Sequence, residues 1–107
     1  MITITEPAAG QIRKAAGETG ADNLFLRLAV RVEDGGKFEY GMGFDERKDT
    51  DTHWTSNGIH VLVAEPCKNL LEGATLDYVE LNPGDFQFIF ANPNDPTHTV
   101  ASVSKPS

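Results

Sequence analysis

Apolar and polar positions alternate along much of the chain, and changes in their period mark where one element gives way to the next. Leu24, Leu26, Leu28, Val30 and Val32 interleave with Phe25, Arg27, Ala29 and Arg31, the period of a half-buried strand. Phe38, Tyr40, Met42 and Phe44 repeat it against Glu39, Gly41 and Gly43. Between these runs the glycine pair of Glu33-Asp34-Gly35-Gly36-Lys37 tolerates positive φ, which predicts a hairpin connection. Residues 59–64 predict another strand. Residues 75–81 and 85–91 predict a pair of strands around the turn Asn82-Pro83-Gly84-Asp85. Near the start, Ile2 to Thr5 reads as a short strand. The period then lengthens, with Ala8, Ala9, Ile12, Ala15 and Ala16 at helical spacing. Thr5 is a suitable cap for that helix, Glu6 and Pro7 suit its first turn, and Gly17 and Gly20 are expected to end it. A second short helix is expected from Pro66 through Leu71, closed by Gly73. Residues 45–58 are polar and read as a connecting loop. Residues 95–107 read as an irregular C-terminal tail. The expected fold is therefore mainly β within the α+β class: one domain over 1–94, built as two packed mixed sheets or a partial barrel with two short helices.

Composition narrows the chemistry. The chain has 107 residues, and its formal charge is −7 from nine basic and sixteen acidic residues. That balance, with no local Lys/Arg cluster, disfavours direct contact with a nucleic-acid backbone. No apolar run approaches the roughly 20 residues that span a bilayer. No basic-then-apolar leader is recognisable, so a cytoplasmic location is expected. The single cysteine, Cys67, has no internal disulfide partner and agrees with a reducing compartment.

Candidate chemical groups are sparse. His60 alternates with Ile59 and Val61 and so faces the other side of its strand, His53 falls in the polar loop, and His98 falls in the tail. No histidine pair has the i, i+4 spacing of a helical metal site, although Asp49, Asp51 or Asp95 are conceivable co-ligands. The Gly-x-Gly of residues 41–43 sits in a strand and is not a dinucleotide fingerprint. No nucleophile elbow or phosphate loop occurs, so no catalytic residue is assigned and no enzyme activity is expected.

Several segments in register carry a family resemblance: LFLRLAVRV from Leu24, Tyr40 and Phe44, NGIHVLV from Asn57, LLEGATLDYV from Leu70, and FQFIFANPN from Phe86. Together they resemble the A-type iron–sulfur cluster carriers, or HesB-like proteins, over nearly the whole chain. The resemblance implies the fold above. It also implies a cluster-ligating Cys in the first hairpin and a Cys-Gly-Cys motif after Asn-Pro-Asn. Those positions fall here on Gly35, Thr99 and Ala101. Glycine and alanine side chains donate nothing, and a threonine hydroxyl is a poor substitute for the soft thiolate that holds such clusters. No cofactor or metal is therefore expected. The resemblance is nearest to the cysteine-free members encoded with dissimilatory sulfite reductase in sulfur-oxidising bacteria. It implies a cytoplasmic accessory or regulatory role in oxidative sulfur metabolism, exerted through contact with another protein. Glu33, Asp34, Gly36, Lys37 and His98 are the candidate contacts, and a monomer is expected because the ligands near the family's interface are missing. The alternative is iron or cluster delivery with non-standard ligands, Cys67 and histidines.

Overall fold

The computed structural model describes residues 2–21, 23–95 and the backbone of 101–103. Two four-stranded mixed sheets face each other. In the first the order is β1 (Thr3–Ile4), β6 (Thr75–Asn82), β7 (Asp85–Ala91) and β8 (Ala101–Val103). In the second it is β3 (Phe38–Asp45), β2 (Phe25–Val32), β5 (Ile59–Val63) and β4 (Thr52–Ser56). β1 runs parallel to β6 and β2 parallel to β5, and the other neighbours are antiparallel.

The core lies between the sheets. Leu26, Leu28 and Val30 of β2 point into it, as do Val61 and Val63 of β5, Leu76 of β6, and Phe88 and Phe90 of β7. The expected alternation is thus observed, except that Leu24 and Val32, which flank the buried run of β2, are exposed. Helix α1 (Glu6–Thr19) buries Ala8, Ala9 and Ile12, and packs against β6 and β5. Small side chains on this face let the helix lie close on the strands. Thr5 caps it by accepting from the Ala8 N–H at 3.3 Å and donates its own hydroxyl to Asp77 at 2.6 Å. Gly20 ends the helix in a left-handed conformation with its N–H on the Ala16 carbonyl, whereas Gly17 lies inside it on the exposed last turn.

Three expectations are corrected. Residues 52–56 form β4 rather than part of a loop, paired with β5 through the tight turn at Asn57-Gly58. The second helix is only a 3-10 turn at Glu65–Cys67, followed by turns to Gly73. Ala101–Val103 extend the first sheet as β8, antiparallel to β7, where irregular chain was expected.

The outer face of the second sheet carries its own small cluster. Arg27 and His53 both pair in register with Leu62, which is fully buried although it points away from the core. The Arg27 guanidinium bonds Asp45 at 2.6 Å and Asp51 at 2.8 and 2.5 Å, and Asp51 also accepts the Lys48 N–H at 2.8 Å. This clamp ties the polar segment 45–51 to β2 at Arg27, the register neighbour of Leu62.

Candidate functional site

The resemblance places its ligand positions around one corner, where the edge strands of the two sheets, β3 and β8, approach each other. The first position is in the connection between β2 and β3. The Glu33 N–H donates to the Lys37 carbonyl at 2.7 Å, and the Gly36 N–H donates to the Glu33 carbonyl at 3.0 Å, so the turn is closed by its own backbone. Gly35 and Gly36 both take left-handed angles, φ 82° and 83°. A Cβ added at Gly35 would meet nothing within 4 Å, so space is open there. The backbone angle, not crowding, is what disfavours a side chain. Asp34 and Lys37 are exposed, and Arg31 bridges Glu33 at 2.7 Å and Glu39 at 3.1 Å across the hairpin.

The second group of positions follows Asn92-Pro93-Asn94. These residues have a structural role. Asn92 donates to the Leu70 carbonyl at 2.8 Å, and Asn94 donates to the Glu72 carbonyl at 2.7 Å and to the Leu70 carbonyl at 3.2 Å. The Asn94 N–H in turn donates to the Asn92 side chain at 3.0 Å. They fasten the end of β7 to the 70–73 turn, where Pro93 approaches Gly73. Ala101 pairs with Phe90 in the sheet. Phe90 in turn stacks on Tyr40, with ring centroids 4.6 Å apart. The Tyr40 hydroxyl donates to Asp95, which is buried, at 3.2 Å. Burial, reinforced by the Asp95 charge, pushes the Tyr40 hydroxyl pKa up to about 12. The corner is therefore filled by an aromatic pair and a bonded carboxylate. Thr99 and His98 lie outside the described residues.

Cys67 is half-buried in the 3-10 turn, packs against the core and donates its thiol at 3.4 Å to the carbonyl of Val30, the register partner of Tyr40. Among the described residues no group of three or more His, Cys, Asp or Glu side chains could hold a metal ion. Of the conceivable co-ligands, Asp51 is taken by Arg27 and Asp95 by Tyr40.

One pairing escaped the sequence. His53 and His60 meet on the outer face of the second sheet, Nε2 to Nδ1 at 3.0 Å, beside Phe25. Treating His53 as a loop residue hid this contact. The signal was Asn57-Gly58 directly before a strand, which calls for a partner strand at residues 52–56. A cleft of about 290 Å³ between α1 and this sheet is lined mainly by apolar side chains, with Arg13 and His60 at its rim. No helix is long and apolar enough to cross a membrane, among the described residues.

Known proteins resemble the chain in sequence and in fold. The family model described as iron–sulphur cluster biosynthesis matches residues 1–99. The iron–sulfur cluster insertion protein ErpA 2 of Methylococcus capsulatus is 38% identical over 97 residues, covering 90% of this chain and 74% of that protein. The SufA protein of Bacillus subtilis is 35% identical over 94 residues, covering 87% and 78%. Among solved structures, IscA with a [2Fe-2S] cluster superposes with a TM-score of 0.70 at 30% identity, covering 87% of this chain and 86% of that one. Escherichia coli SufA superposes with a TM-score of 0.73 at 24% identity, covering 86% and 80%, a likeness of fold.

Proposed function

The chain belongs to the iron–sulphur cluster biosynthesis family, and on that footing we propose that it acts by contact with another protein rather than by carrying a cluster on thiolates of its own. The observation that supports this most is the cysteine inventory. The chain's one thiol is occupied in packing and in a bond to Val30, and the first ligand position implied by the resemblance is a glycine in a left-handed turn. Cluster iron needs several soft donors at once, and one thiol per chain leaves most of that shell unfilled. What persists is a rigid corner with an exposed turn carrying Asp34, Gly36 and Lys37 beside Glu33. This turn is the proposed contact surface, on a chain acting as a monomer. His98 completes it in this proposal.

The test is anaerobic reconstitution with ferrous iron and sulfide. The expected outcome is a colourless chain without visible charge-transfer absorption. Stoichiometric cluster uptake followed by transfer to an apo-acceptor would overturn the proposal. Crosslinking and capture, with Asp34→Lys and Lys37→Glu as controls, then tests the surface; a specific partner is expected to be lost with both variants.

A second reading is favoured by the relatives. The name of the ErpA 2 relative speaks of cluster insertion and the solved IscA structure holds a [2Fe-2S] cluster, which supports delivery of iron or a cluster; in this chain that would need non-standard ligands such as Cys67 and histidines. The same reconstitution separates the two. The setting implied by the nearest resemblance, oxidative sulfur metabolism, is a proposal of its own; co-purification from a sulfur-oxidising host tests it.

A further inference from the structure

The outer face of the second sheet offers two imidazoles that no role described above uses. His60 is exposed and His53 half-buried, on adjacent antiparallel strands. Their facing nitrogens, His53 Nε2 and His60 Nδ1, are 3.0 Å apart, so one carries a proton and the other a lone pair. The Thr55 hydroxyl lies 3.4 Å from the same His60 nitrogen. The Phe25 ring lies 5.1 Å from the His53 ring at 9° and 5.4 Å from the His60 ring at 29°, which walls the pair on one side. Two imidazoles bound to one ion at about 2.0–2.1 Å, in adjacent coordination positions, place their nitrogens about 2.9–3.4 Å apart. The observed spacing already falls in that window. We propose that His53 and His60 form a two-imidazole site for a borderline divalent transition-metal ion, tightest for Cu²⁺, with water completing the shell.

The chemistry favours such an ion over others. Imidazole suits copper, zinc and nickel, and the affinity order among divalent ions peaks at copper. The ion takes the place of the proton now held between the facing nitrogens, and that proton moves through solvent to the far nitrogen of its own ring, so both imidazoles bind in the neutral form. Arg27, in the same register row as His53, is neutralised by Asp45 and Asp51, and Arg13, which lines the cleft beside His60, is turned to the Asn57 carbonyl. The net charge of −7 also favours a cation. Strong antiparallel pairing with β5 fixes the backbone of both residues, so small ring rotations are all that closing around the ion requires. The site is distinct from the corner that holds Gly35. β4 and β3 are opposite edges of their sheet, and the length of β3, about 24 Å, separates Phe25 from the Gly35 turn.

The experiment titrates the tag-free full chain with Cu²⁺ and follows binding by electron paramagnetic resonance. One ion per chain is expected, with hyperfine coupling to two imidazole nitrogens. His53→Gln and His60→Gln are each expected to weaken binding at least tenfold, while Cys67→Ser and His98→Gln leave it unchanged. Melting curves without metal check folding, and a variant that fails to fold is replaced by phenylalanine at the same position. Absence of binding at millimolar ion, binding indifferent to both histidine variants, or binding that follows Cys67 or His98 would each overturn the proposal. Cluster reconstitution reads a different site, so failure of one proposal is distinguishable from failure of the other.

Discussion

Asp51 accepts both guanidinium nitrogens of Arg27 and one backbone N–H, and this set of bonds decides how its stability responds to acid. Arg27 holds the Asp51 carboxyl far below the usual carboxylate range. Its folded pKa is lower than its unfolded value, so the stabilisation is complete above about pH 4 and is lost as pH falls below it. Asp51→Asn is expected to cost about 2 kcal/mol at neutral pH, and the gap to the wild type should narrow in acid. Urea melts at pH 7 and pH 3 check both parts. Tyr40 behaves in the opposite sense. Its folded pKa of about 12 exceeds the usual phenol value, so its contribution is present at neutral pH and fades as pH rises from about 10 to 12. The ultraviolet difference titration between wild type and Tyr40→Phe should show one phenol ionising near pH 12. The variant keeps the ring stack on Phe90 and should lose the alkaline drop in stability. At this scale the sequence was a partial guide. It singled out Cys67 by type and Gly35 by its position in the resemblance, but it had no means of pairing Tyr40 with Asp95, or His53 with His60, because those contacts depend on how the strands and loops are brought together.

The β4–β5 hairpin shows what an element gains from its turn. Asn57 and Gly58 both take positive φ, 48° and 79°, and the Asn57 amide donates to the Ile4 carbonyl at 2.6 Å. Arg13 of α1 bonds the Asn57 carbonyl, and a Cβ on Gly58 would stand 2.9 Å from its guanidinium. Gly58→Ala is therefore expected to destabilise by about 2 kcal/mol from the left-handed backbone alone. The added crowding should be relieved by Arg13→Ala, so the double variant should be more stable than the two separate costs predict; a double-mutant cycle by thermal melting measures the coupling. The strong alternations of β2, β3, β5, β6 and β7 were legible in the sequence. β4 was not, because an edge strand with one large apolar residue, Trp54, leaves no alternation to read. β8 was missed because a three-residue strand takes its order from the β7 edge it joins, not from its own pattern.

For the molecule as a whole, the two sheets and α1 share one core, and Phe90 sits where they are joined to the corner around Asp95. It is fully buried, aligned with Leu76 across the first sheet and stacked on Tyr40 of the second. Phe90→Ala is expected to cost about 3–5 kcal/mol, a large share of the roughly 5–15 kcal/mol that holds a domain together. Chemical denaturation followed by circular dichroism should show a single transition moved to lower denaturant. The overall architecture could be anticipated, because alternation, turn chemistry and the resemblance pointed the same way. The candidate corner could be anticipated only in outline, since its sequence signal came from positions that the resemblance implies rather than from a motif of its own.

The left-handed turn at Gly35 sets a cost on any side chain introduced there. Gly35→Cys would place a thiol in open space, yet on a backbone angle that penalises it by about 1–2 kcal/mol before any iron arrives. Installing a donor in this hairpin would therefore mean reshaping the loop as well as changing the residue.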